Sequence, residues 1–156
     1  MAHFEQSILT VAAGPGVAYT QLQHNGAAGT PRMRVREIVW TTQAGTLSPV
    51  GLARAVLVGV PSGPLVGKPT DDRENTTANG TFFTPGLSAN APTIPATSPA
   101  DFYFRRFLAA AVAGSGIPWA WADGELTISP GGALLLWNYD GSLTGSILAV
   151  SAKWEE

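Results

Sequence analysis

The sequence predicts an all-β protein, an antiparallel β-sandwich, from three observations. Short β-prone runs recur at about ten-residue spacing through residues 119–156, separated by turns at Asp123-Gly124, Pro130-Gly131 and Asp140-Gly141. Apolar and polar residues alternate along several runs, as they do in strands with one buried face. The 156 residues include 18 Gly and 12 Pro, a composition typical of a chain with many turns.

The last third of the chain contains the strands from which the core is predicted. Ala133–Trp137 has no polar face, so we expect a strand that is covered on both sides, by a second sheet or by a neighbouring chain. The final strand, Ser146–Trp154, alternates instead. One of its two faces is uniformly apolar and is predicted to point into the core: Leu148, Val150, Ala152 and Trp154.

The first half of the chain supplies four more strand signals. They are His3–Thr10, Val17–His24, Arg32–Thr42 and Val50–Val60. The third of these loses its alternation after Glu37, which predicts a β-bulge or a strand that enters the core.

The middle of the chain is harder to assign. Residues 61–99 are rich in Pro, Gly, Thr and Asn, so we expect a long excursion with one or two short strands, one of them near Thr77–Thr84. Residues 98–114 fit a capped helix, with Ser98 as N-cap and Gly114 at the end, and they also fit a strand. The aromatic residues at 102–104 and the all-β surroundings favour the strand.

Composition limits the classes of function. The length is that of one domain, residues 1–156, and the absence of cysteine excludes disulfides and thiolate sites. A net charge of −2 argues against a nucleic-acid or membrane partner. With no signal peptide and no spanning segment, we expect a soluble protein made in the cytoplasm. Only 13% of residues are charged, and the loops are apolar, which favours a surface that contacts other subunits.

No catalytic, metal or cofactor signature is complete in the sequence. His3 and His24 are expected to be solvated strand-end residues and not a metal pair. Residues 71–75 lack the carboxylate spacing of a calcium loop. A glycosidase pair is the remaining enzymatic hypothesis, because pairs in space cannot be seen in sequence; its candidates are Asp101, Asp123, Glu125 and Asp140. We expect no catalytic residue, no metal and no cofactor.

Two groups of residues are candidate contacts with a capsid or a subunit. The first is a row of arginines on one strand face, Arg32, Arg34 and Arg36, which is an ordinary outward face or pairs with acids on a neighbouring subunit. The second group consists of tryptophans: Trp119, Trp121 and Trp154. Trp119 and Trp121 would form a flat platform for a sugar ring if both faced outward, although packing in the core or at a subunit contact is the favoured interpretation.

Several segments together resemble a known class of proteins. They are residues 36–42, 51–54, 119–121, 130–138 and 154–156, with the sequences REIVWTT, GLAR, WAW, PGGALLLWN and WEE. They resemble small virion structural proteins of tailed bacteriophages, and more loosely the jelly-roll decoration (cement) proteins of their capsids. The similarity covers about half of the chain, in the strands, and its motifs are packing and turn patterns.

The resemblance implies a single jelly roll, for which we expect about eight strands. The long loop excursion at roughly 61–99, expected from composition, has no counterpart in the resemblance. It implies a homotrimer that binds the major capsid protein or another virion protein, is located in the virion and has no catalytic residue. The alternative hypotheses are a carbohydrate- or receptor-binding module of a tail or fibre, which would use the Trp119/Trp121 platform, and a carboxylate-dependent glycan hydrolase.

Overall fold

The computed structural model describes residues 2–56, 64–66, 68–69, 78, 80–83 and 103–156. These residues contain no helix, and their strands form two antiparallel sheets, so the predicted all-β sandwich is confirmed. The strands are β1 (His3–Leu9), β2 (Ala18–His24), β3 (Met33–Thr42), β4 (Ser48–Val56), β5 (Pro64–Val66), β6 (Lys68–Pro69), β7 (Gly80–Phe83), β8 (Tyr103–Ala109), β9 (Gly116–Ala120), β10 (Thr127–Ile128), β11 (Gly132–Trp137) and β12 (Leu148–Glu155).

Each sheet is built from strands of both halves of the chain. Sheet A has the order β10-β3-β12-β1-β6, and sheet B has the order β5-β7-β2-β11-β4-β8. Strand β9 also pairs with β3, so that β9 and β10 follow one another along the same edge of β3. Successive long strands therefore alternate between the sheets, from β1 in sheet A to β4 in sheet B.

The long strands pair in reverse order along the chain. Strand β1 pairs with β12, β2 with β11, β3 with β9 and β10, and β4 with β8. Two further pairings, β12 with β3 and β11 with β4, join these pairs into the two sheets. The short strands β6 and β7 add to the edges at β1 and β2.

The core lies between the sheets and follows the predicted alternation. The four core residues predicted in the last strand are all buried, at 2% exposure or less. All five residues of Ala133–Trp137 are buried as predicted: Leu134 and Leu136 face the core, while Leu135 and Trp137 form a second apolar cluster with Ala18 and Ala53. That second cluster explains why this strand has no polar face.

The remaining strand predictions are confirmed with adjusted bounds, except that residues 57–60 of the predicted strand Val50–Val60 lie outside the described residues. The bulge lies at Arg36, where the pairing of β3 with β12 skips one residue. Tyr103–Ala109 is a strand, as favoured over the helix, and residues 98–102 lie outside the described residues. The predicted strand near Thr77–Thr84 is β7, and β5 and β6 make three short strands where one or two were expected. The rest of the excursion at 61–99 lies outside the described residues.

Aromatic side chains close the sandwich between its two edge strands β8 and β9. The ring of Trp40 packs edge-on against Phe107 and against Trp119, with ring centroids 5.6 Å apart in both cases. The guanidinium of Arg105 lies over the ring of Trp121, 5.9 Å from its centroid. Pro118 at the centre of β9 has no N–H to offer, so this edge of sheet A is protected against pairing with a further strand.

Candidate functional site

Four loops meet at one end of the sandwich. They are residues 10–17, 43–47, 110–115 and 138–147, and the antiparallel pairing brings them together because each one leaves or enters the same end of a paired strand. We call this surface, together with the last two residues of β8 and the last residue of β1, the apolar end.

The apolar end carries all the large hydrophobic side chains that are exposed among the residues whose side chains the structure describes. They are Leu9 (59% exposed), Val11 (52%), Leu47 (42%), Leu108 (51%), Val112 (64%) and Ile147 (38%). Single exposed hydrophobics are ordinary on a protein surface, but a group of them at one end marks an interaction site.

Several polar side chains of the apolar end make their hydrogen bonds inside it. The buried amide of Asn138 donates to the carbonyl oxygens of Ala13 (3.0 Å), Gly14 (3.1 Å) and Leu143 (2.7 Å), and its own oxygen accepts from the N–H of Asp140 (3.1 Å). One side chain thus fixes loop 10–17 against loop 138–147. This arrangement leaves apolar side chains to face outward.

Hydroxyl groups connect the other loops in the same way. The Ser146 hydroxyl oxygen accepts from the N–H of Ala44 (3.1 Å), and the Ser48 hydroxyl oxygen accepts from the N–H of Ser146 (2.8 Å). The Thr42 hydroxyl donates to the carbonyl of Val112 (3.0 Å). These bonds hold the four loops in one arrangement, so little conformational entropy would be lost when the end is covered.

Asp140 is the only charged residue in the four loops, and its carboxylate is engaged locally. One oxygen accepts from the N–H of Ser142 (2.7 Å), the hydroxyl of Ser142 (2.8 Å) and the N–H of Leu143 (2.9 Å). These hydrogen bonds, those from Ser142 first, lower the pKa of Asp140. The carboxylate therefore serves the turn, as Asp does in such loops.

The predicted arginine row lies toward the opposite end, and two of its members pair within the chain. Both Nε and Nη2 of Arg36 lie 2.8 Å from Oε1 of Glu155, whose side chain is only 8% exposed. Asp123 Oδ1 lies 3.2 Å from Arg36 Nη2 and 3.3 Å from Arg34 Nη1. The hydrogen bond to Glu155 is the main reason that the pKa of Arg36 is raised. Arg32 is exposed.

The expected tryptophan contacts need correction. Trp119 and Trp154 are only 5% and 1% exposed, because each points from sheet A into the core, so neither side chain is available to a partner. Trp121 follows the end of β9 and is half-buried beneath Arg105, so the two rings do not form an outward platform. Packing in the core, the interpretation favoured from the sequence, is confirmed for Trp119.

The other candidate residues have structural partners. The expectation that His24 is solvated is wrong: it is fully buried, with Nε2 2.8 Å from the carbonyl of Pro31 and Nδ1 accepting from the N–H of Gly26 at 3.0 Å. Nδ1 of the exposed His3 lies 3.3 Å from Glu155 Oε1. Glu125 accepts from the N–H of Ala122 in its own turn, and Asp101 lies outside the described residues.

The described part of the chain contains no group of three or more His, Cys, Asp or Glu side chains arranged to hold a metal ion. No helix in that part is long and apolar enough to cross a membrane.

No protein-family model matches this chain, and no curated protein or solved structure is significantly similar to it. The relationship to phage virion proteins inferred from the sequence therefore stays a prediction.

The apolar end was found by the structure and not by the sequence. Its loops come from four separate parts of the chain, and only the strand pairing brings them together. The signal present in the sequence was that the loops contain Ala, Pro, Leu and Val in place of charged residues.

Proposed function

We propose that this chain is a non-enzymatic structural protein of a phage virion, a decoration protein that binds the outside of an assembled capsid and stabilises it. The observation that supports this most is the apolar end, where exposed Val, Leu and Ile side chains lie on rigid loops with a single, locally engaged carboxylate. Such a surface fits a protein partner better than a polar substrate, because centres of protein interfaces are depleted of charge.

The strand order supports the jelly-roll fold that accompanies this function. The first long strand pairs with the last, the second pairs with the last but one, and so on toward the middle of the chain. This order results when one long antiparallel ribbon is folded over into two sheets. Under this assignment, eight strand positions form the jelly roll, with β9 and β10 sharing one of them. The short strands β5, β6 and β7 are additions from the excursion between β4 and β8.

The binding mode follows from the shape of the apolar end. Covering one exposed Val or Leu side chain contributes about 1–2 kcal/mol to the free energy of binding. A few such side chains therefore give a single copy a modest affinity for its partner. A decoration protein binds the assembled lattice and not the separate subunits, so the assembled state gains this free energy at every occupied site. Association of copies, for which the resemblance implies a trimer, multiplies the effect through effective concentration.

The experiment that tests the function measures binding to shells. Purified protein is mixed with empty shells of the phage that encodes it, and bound protein is measured by co-sedimentation. The variant Val112→Glu places a charge on the most exposed hydrophobic residue of the apolar end and should reduce binding at least about tenfold, since a buried unpaired charge is costly.

Ala28→Glu is the matched control. It adds the same charge to an exposed loop at the opposite end and should bind as the unmodified chain does. Saturable binding with the expected difference between the two variants supports the proposal. Absence of binding by the unmodified protein, or equal binding by both variants, contradicts it. Binding to a glycan in place of the shell would favour the tail or fibre module.

A further inference from the structure

A second uncharged surface lies on the outer face of sheet A, beside the apolar end. It is a trough of about 420 Å³ between strands β1, β12 and β3. Its outward side chains are small, apart from the leucine at its rim: Ser7, Leu9, Val39, Thr41, Ala149 and Ser151. We propose that this trough binds a second copy of the same chain, face to face, about a twofold axis parallel to the strands.

The register of sheet A arranges this face in rows across the strands. Leu9, Ala149, Thr41 and Gly116 form the row nearest the apolar end, followed by Ser7, Ser151, Val39 and Pro118, and then by Glu5, Lys153, Glu37 and Ala120. The first two rows are uncharged. The third alternates in sign, negative, positive, negative, and forms the border of the trough.

The charged row is complementary to itself. Lys153 Nζ lies 3.1 Å from Glu37 Oε2, and Glu5 stands on its other side in the row. A twofold axis between β12 and β3 sets Glu37 opposite Lys153 of the second copy and, by symmetry, Lys153 opposite Glu37. An isologous contact requires such a self-complementary surface, and this row supplies it.

The shape of the trough fits the same axis. Strands lie about 4.8 Å apart, so β1 and β9 are equally distant from an axis between β12 and β3. Leu9, the largest outward side chain of the first row, is then opposite Gly116 of the second copy, the residue with no side chain. The small residues between them permit the sheet-to-sheet distance of about 10 Å at which sheets pack.

The direction of the axis agrees with attachment to a shell. An axis parallel to the strands keeps the apolar ends of both copies on the same side of the pair, so both can be seated on one surface. The seating of both copies on a shell rests on the proposed function, whereas the contact between copies depends on the outer face of sheet A alone. The contact also differs from the trimer that the resemblance implies.

The size of the contact predicts its strength. Four strands and three rows of outward residues cover about 400 Å² per copy, or about 800 Å² in total, from strand spacing and rise. That is smaller than a standard specific interface and lies in the range of weak, transient contacts. We therefore expect a dimer that dissociates on dilution, and that is reinforced when many copies are held on one shell.

Sedimentation velocity over a wide concentration range tests the contact with the protein alone. The unmodified chain should pass from monomer to dimer. Leu9→Arg places a cation in the trough of both copies and should weaken the dimer at least about tenfold. Leu108→Arg is the matched control, because Leu108 has a similar exposure, 51% against 59%, and lies on the other sheet; its dimer should be unchanged.

Charge reversal tests the position of the axis. Glu37→Lys places like charges opposite each other and should weaken the dimer, and Glu37→Lys combined with Lys153→Glu should restore it. A chain that stays monomeric or forms trimers, or a dimer unaffected by Leu9→Arg or by Glu37→Lys, overturns the proposal. The shell-binding experiment with Val112→Glu does not depend on the dimer, so its result would still hold in that case. Failure of the contact is therefore distinguishable from failure of the proposed function.

Discussion

Asn138 is the residue on which the arrangement of the apolar end depends most directly. Asn138→Ala removes the amide that joins loop 10–17 to loop 138–147. Three carbonyl oxygens and the N–H of Asp140 then lose a hydrogen bond, although the carbonyl oxygens of Ala13 and Gly14 keep those from the N–H groups of Gly145 (2.9 Å) and Val17 (3.2 Å). The backbone conformation on either side is ordinary, so the loss of these bonds is the main effect of the substitution.

The expected cost follows from the burial of these groups. The bond to the carbonyl of Ala13 is buried, and because that oxygen keeps the hydrogen bond from the N–H of Gly145, losing the bond to Asn138 costs about 0.5–1.5 kcal/mol. The other three bonds are partly buried, so water replaces them in part. We expect a loss of about 1–3 kcal/mol in the free energy of unfolding, which corresponds to about 2–12 °C in Tm for a domain of this size.

Urea and thermal unfolding measure this loss, and an isosteric variant makes the test sharper. Asn138→Asp keeps the shape but cannot donate to the three carbonyl oxygens, so it should be at least as destabilising as Asn138→Ala at neutral pH. Gln43→Ala, which removes a side-chain amide at an exposed position of loop 43–47, is the control and should change stability by less than about 1 kcal/mol. If Asn138→Asp is as stable as the unmodified protein, the donor role assigned to this amide is wrong.

Three other predictions concern the core and its neighbours. Trp154→Phe should lower the free energy of unfolding, measured with urea, by about 1 kcal/mol more than Trp40→Phe does. The reason is that the indole N–H of Trp154 has a carboxylate partner at 2.9 Å, whereas that of Trp40 has none. An equal loss in the two variants would contradict this. Gly145→Ala should cost about 1–3 kcal/mol, because a Cβ there would lie 1.7 Å from the hydroxyl of Tyr19, whereas Gly141→Ala has open space and should be neutral. Burial raises the pKa of Tyr19 above its usual value. Above about pH 10 the unfolded chain therefore releases a proton that the folded chain retains, whereas below that pH both keep it. The free energy of unfolding should be unaffected below about pH 10 and should fall by up to about 1.4 kcal/mol per pH unit above it. In Tyr19→Phe the fall in stability above about pH 10 that Tyr19 causes should disappear. An unchanged dependence of stability on pH would show that the Tyr19 hydroxyl is not its cause.

Alternation along a strand could be predicted from sequence because it is a local property. The inward set of β12 and the double burial of Ala133–Trp137 follow directly from which neighbouring residues are apolar. At Tyr103–Ala109 the aromatic residues at 102–104 and the all-β surroundings favoured a strand over a helix, against the capping signal of Ser98 and Gly114. This segment pairs with β4 as the edge strand of sheet B, and that pairing outweighs the local preference for a helix.

The candidate site depended on contacts between distant parts of the chain. The sequence gives no sign that Arg36 pairs with Glu155, because that contact requires β3 to lie beside β12 with a bulge between them. Asn138 precedes an Asp-Gly turn and resembles an ordinary turn residue, although it is buried and joins two loops. Trp119 was a plausible surface platform until its strand was placed on the edge of β3, which turns its ring into the core.

The most direct test of the central claim is a cryo-electron microscopy map of shells decorated with this protein, at a resolution that orients the sandwich. In such a map the apolar end, with Val112 and Leu47, should face the shell, and the opposite end, with Arg32 and Asp123, should point to solvent. A map in which the apolar end points away from the shell, or in which the protein is not on the shell at all, would contradict it.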